Sequence, residues 1–66
     1  MMKEIIDYLK KVSGMLTLDE NWRLARDLHL NSKEIIDFSI YFFNISGKKL
    51  SLSKDFSIGE ILSMCE

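Results

Sequence analysis

A chain of 66 residues, 47% apolar and 29% charged with a net charge of −1, forms one small domain (1–66) and has no room for a second. At this size most apolar side chains must serve as core, which leaves little space for a deep internal ligand cavity. The near-neutral balance weighs against nucleic-acid binding, which needs a positive excess on one face.

The single Cys65 cannot close an internal disulfide, and one thiol beside one histidine, His29, makes no zinc ligand set. A secreted chain of this length without disulfides is unusual, so a reducing cytoplasm is the expected compartment. No apolar run approaches the about 20 residues of a membrane span. Glu4 and Asp7 interrupt any signal-like start, so the chain is expected to be the mature protein.

In chain order, residues 2–12 place Ile5, Ile6, Leu9 and Val12 at helical spacing with charges opposite, and Ser13-Gly14 ends the helix. Its acids come early and its lysines late, as the helix dipole prefers. Thr17-Leu18-Asp19-Glu20 matches a capping box and predicts a short helical stretch through Ala25. Trp22, Leu24, Leu28 and Leu30 should tuck this segment onto the core. A second main helix is expected to open with Asn31 as N-cap, with Glu34 completing a capping box, and to run through Phe43. It is apolar on nearly all sides, so it is either central or docks a partner with its outer face.

Asn44 to Leu52, with Gly47 and two lysines, reads as a loop. The alternation from Lys49 to Ser53 is weak evidence for a strand, because a lone strand has no partner. Residues 53–56 predict one turn of helix. Ser57-Ile58-Gly59-Glu60 is a further capping box and opens a helix through Met64. The fold class is therefore all-α: three main helices and a short extra one.

Few residues invite catalysis. Asp27, His29 and Ser32 lie close in sequence, but a triad also needs an oxyanion site and a cleft. Cys65 sits at a terminus, where an activated thiolate is hard to hold. The aromatic group Phe38, Tyr41, Phe42 and Phe43 lacks the basic groove of a base-stacking platform and reads as core. Ser32 stands apart. At the first turn of a capped helix its hydroxyl faces outward beside backbone N–H groups, an arrangement that stabilises a phosphate ester.

The run Asp27-Leu28-x-x-Asn31-Ser32, an apolar helix, a Gly-containing loop and Ser57-Ile58-Gly59-Glu60-Ile61-Leu62 together resemble the acyl carrier and peptidyl carrier proteins. The resemblance covers the order of helices along the whole chain, and its motifs lie between residues 24 and 62. It implies a four-helix bundle with a short third helix, and a 4′-phosphopantetheine arm carried on Ser32. Asp27 and Leu28 match the loop pair before the serine, and Leu50 matches the apolar residue after the glycine loop. Asn31 stands where acyl carriers usually have Asp, although peptidyl carriers often show Asn-Ser. Lys33 stands where the family has Leu or Ile, which marks a divergent member.

The resemblance further implies a protein that is not itself an enzyme. Its partners would be a phosphopantetheinyl transferase and the acyl- or aminoacyl-loading and processing enzymes of a fatty-acid, polyketide or nonribosomal-peptide type of pathway. Lys33, Glu34, Ile36, Asp37 and Ile40 are the expected docking residues. A monomer is expected. The competing reading is the same fold acting as an interaction module without the arm, and Lys33 is the residue in its favour.

Overall fold

The structure, a computed structural model, describes residues 2–65 and contains three helices: α1 (Met2–Ser13), α2 (Ser32–Ser46) and α3 (Ile58–Met64). Among the described residues there is no strand, only an isolated antiparallel bridge between Arg23 and Ser57. The all-α expectation is met at this level.

Each helix buries the stripe that its spacing dictates. Ile5 and Leu9 of α1, Phe38 and Phe42 of α2, and Ile58, Ile61 and Leu62 of α3 meet in one cluster. Pairs four apart lie one above the other on a helix face, which is why 5/9 and 38/42 enter together. Tyr8 of α1 meets α2, stacked on Tyr41 at 4.6 Å and tilted against Phe38 at 5.5 Å. Leu24, Leu28 and Leu30 complete the core from the long α1–α2 connection, as expected, and Leu50 does so from the α2–α3 connection.

The helix ends follow local chemistry. Gly14, at φ 75°, donates its N–H to the Lys10 carbonyl at 2.9 Å and closes α1. Gly47, at φ 74°, does the same for α2 by reaching the Phe43 carbonyl at 2.8 Å. Both need the left-handed region that glycine enters without cost from a Cβ. Because the cap is Gly47, α2 runs three residues beyond the expected Phe43.

Two expectations are corrected. The Thr17–Glu20 capping box does not start a helix. Asp19 turns its carboxylate to the Asn21 N–H at 2.8 Å, and the backbone that follows is taken sideways. Gly59 donates to the Glu20 carbonyl (2.9 Å), Ile58 to the Trp22 carbonyl (2.9 Å), and Leu24 to the Phe56 carbonyl (3.1 Å). Carbonyls and N–H groups engaged laterally cannot serve an i to i+4 ladder. The approach is close enough that a Cβ on Gly59 would stand 3.2 Å from the Glu20 oxygen.

The second correction concerns the short third helix of the expected four-helix bundle. Residues 51–54 make a single turn, with Lys54 N–H on the Ser51 carbonyl at 3.3 Å. The chain then straightens, because the Phe56 carbonyl is needed for Leu24. Asp55 fastens the same junction: its carboxylate accepts the N–H groups of Ala25 (2.8 Å) and Arg26 (3.1 Å), and its carbonyl accepts from the Arg23 guanidinium (2.9 Å).

α3 has only seven residues and relies on its cap. Ser57 Oγ accepts the Glu60 N–H, while Glu60 accepts the Ser57 N–H at 2.9 Å and the Lys54 ammonium at 2.6 Å. Lys54, above all, and then the Ser57 N–H hold the Glu60 carboxyl down to about 2, below its ordinary 4.5. A pKa depressed by folding stabilises the fold fully above the unfolded value, and the contribution is lost as pH falls through the folded one. Glu60→Gln should therefore lower the denaturation midpoint at neutral pH, and the gap to the parent should narrow steadily as pH falls from about 5 to about 2. Paired urea titrations check this. A gap independent of pH would contradict the Glu60 contacts.

Candidate functional site

Ser32 is held by structure on both sides. Upstream, Leu30 is buried and its N–H is fixed to the Leu24 carbonyl at 3.1 Å. His29 adopts φ 57°, a left-handed turn that lets Leu28 and Leu30 on either side of it both reach the core. Downstream, Asn31 is the N-cap, as its residue type requires. Its side chain accepts the Glu34 N–H at 2.8 Å, and Glu34 Oε1 accepts the Asn31 N–H at 2.9 Å. Ser32 is thus the first helical residue of α2, exposed, with the Ser32 and Lys33 N–H groups at the open end of the helix.

The expected docking residues divide between two flanks of α2. Lys33 is exposed, and so are Ile36 (44%) and Ile40 (56%). Glu34 is folded back into the cap and is less a rim acid than expected. Asp37 lies toward α1. It stands one turn before Tyr41, which stacks on Tyr8; burial first, then the charges of Asp37, Tyr41 and Glu34, push the Tyr8 hydroxyl above its ordinary pKa.

On the other flank, the connection after α2 folds back along the helix and makes a groove. A hollow of about 140 Å³ opens directly beside Ser32, between Ile35, Ile36 and Leu52. A second of about 260 Å³ continues along Ser39, Ile40 and Phe43, facing Lys49, Leu50 and Leu52. Leu52 lines both. Sequence reasoning singled out Leu50 but missed Lys49 and Leu52 beside it, although the alternation at 49–53 was their signal. Phe43, grouped there with the core aromatics, is 43% exposed and belongs to this groove, whereas Phe38 and Phe42 are fully buried.

The other candidates find structural duties. Asp27 accepts the Arg23 N–H at 2.8 Å and the Arg26 guanidinium at 3.2 Å, which together hold its carboxyl below the usual range, the Arg23 bond most and burial opposing. Its carboxylate closes the loop before the site and does not orient His29, which is exposed. Cys65 is half-buried, with its thiol on the Ile61 carbonyl. Among the described residues no group of three His, Cys, Asp or Glu side chains could hold a metal ion, and no helix is long and apolar enough to cross a membrane.

What remains is one exposed hydroxyl at a capped helix start and an apolar groove leading away from it. No family model, no curated protein and no solved structure matches this chain.

Proposed function

We propose that the chain is a carrier protein of the acyl or peptidyl carrier type, acting in the cytoplasm and carrying its cargo on Ser32. The observation behind this is the placement of Ser32: exposed, first in a capped fifteen-residue helix, and at the mouth of an apolar groove. The order of the helices agrees with the carrier fold, with the turn at 51–54 in place of its short third helix.

The residues fit a phosphodiester. The Ser32 hydroxyl is open to a transferase, and the N–H groups of Ser32 and Lys33 with the positive end of α2 favour an anion there. Lys33 would add its own charge beside the ester. A 4′-phosphopantetheine arm, once bound, supplies the thiol that holds an acyl or aminoacyl group as a thioester. The chain itself needs no general base, since activating the hydroxyl is the transferase's task. Its own contributions are tethering, which raises the effective concentration of cargo at each partner, and a docking face. Exposed Ile36 and Ile40, with Lys33 and Asp37 at the edge, suit contacts that form and release.

Incubation with coenzyme A and a broad-specificity phosphopantetheinyl transferase should raise the intact mass by one phosphopantetheine, and Ser32→Ala should abolish the gain. Unchanged mass with several transferases, or modification that survives in Ser32→Ala, overturns the reading. Unchanged mass would leave the interaction module, for which the exposed Lys33, Ile36 and Ile40 on α2 already speak.

A further inference from the structure

The groove is chemically one-sided. Its walls are aliphatic and aromatic carbon, and beyond Ser32 only Ser39 and Lys49 bring polar atoms. The Ser39 hydroxyl is committed to the Ile36 carbonyl at 2.8 Å. Lys49 is different. Its ammonium stands 5.8 Å from the centre of the Phe43 ring, and Lys49 lines the second hollow with it. Phe43 lies eleven residues beyond Ser32, which at about 1.5 Å per residue puts Lys49 roughly 16 Å along the helix from the mouth.

No carboxylate lines either hollow. Glu34 is bound into the cap, and Asp37 stands one turn before Tyr41, on the flank that meets Tyr8. A cation at the far end of an apolar trough, with no acid lining it, is complementary to a ligand whose body is apolar and whose tip is negative. Hollows of about 140 and 260 Å³ that share Leu52 have room for a narrow chain.

We propose that this groove takes an apolar chain ending in a carboxylate, with Lys49 as the residue that selects the charged end. The attachment of such a chain at Ser32 rests on the carrier reading; the selectivity of the groove does not. Cargo of this class would be an acyl group with a second, free carboxylate. Its methylenes would lie against Ile40 and Leu52, and its terminal carboxylate would meet the Lys49 ammonium.

The test uses the full chain and two simple probes, octanoate and 1-octanol, titrated while backbone amide resonances are followed by NMR. Octanoate should shift the amides of Ile40, Phe43, Lys49 and Leu52. Lys49→Gln should weaken octanoate about two- to five-fold, the range of a solvent-accessible ion pair, and leave octanol unchanged. Lys49→Arg should restore the octanoate affinity. Equal octanoate affinity in Lys49→Gln, or shifts confined to other surfaces, overturns the inference. Ser32→Ala should bind octanoate like the parent. A chain that refuses the arm yet keeps this Lys49 dependence refutes the carrier reading alone, and one that accepts the arm without the dependence refutes this inference alone.

Discussion

Phe38→Ala should remove about 3–5 kcal/mol of stability, the loss found when a fully buried aromatic is cut to a methyl. Phe38 is completely inaccessible, offset-stacked on Phe42 at 6.0 Å and tilted against Tyr8 at 5.5 Å. Its ring is therefore one of the groups on α2 that hold α1 in place, with Tyr41. A domain of this length has a total stability of only about 3–10 kcal/mol, so the variant should be largely unfolded or close to it. Phe43→Ala is the matched control. It lies on the same helix with 43% of its surface exposed, so it should cost far less. Urea titrations read by tryptophan fluorescence would compare the two, and equal midpoints would contradict the burial pattern.

Asp55→Ala should cost about 1.5–2 kcal/mol, in the lower part of the range for hydrogen bonds to a charged group because water reaches the N–H groups left behind. Those groups, on Ala25 and Arg26, lie 30 and 29 residues from Asp55. Amide hydrogen exchange at Ala25 and Arg26 should quicken markedly more than at Phe38 or Leu9. Asp55→Asn, which keeps one acceptor oxygen, should fall between the parent and Asp55→Ala. Unchanged exchange at Ala25 and Arg26 would show that the carboxylate does not hold this loop.

These two residues mark what sequence does and does not disclose. Phe38 is legible, because a four-residue spacing of large apolar groups and a neighbouring N-cap are local signals. The Asn31–Glu34 and Ser57–Glu60 boxes are equally local, and both form. Asp55 is not legible, since its partners are fixed only once the chain has returned across about half its length. The same cause explains the failed box at Thr17. Its propensity is outweighed by lateral bonds from residues 56–59, which no window around residue 17 contains. For the candidate site, the Ser32 frame follows from its cap, whereas the groove depends on the 48–54 segment lying along α2. Ile36 and Ile40, expected as docking residues, are exposed, and the wall that faces them comes from a segment outside their own helix.

The lateral pairing of the α1–α2 connection with residues 55–59 has a kinetic consequence. Helical domains dominated by short-range contacts fold quickly, because little loop entropy is lost before contacts form. Here the first connection is ordered by groups 30 and 32 residues further along the chain. The seven residues of α3 are too few to persist as a helix alone. Each segment needs the other, so the expected pacing step in folding is their encounter rather than helix nucleation. A nascent chain that has emerged only as far as Lys54 lacks Asp55 and Phe56, so the loop before Ser32 is fastened only once residues 55–59 have followed.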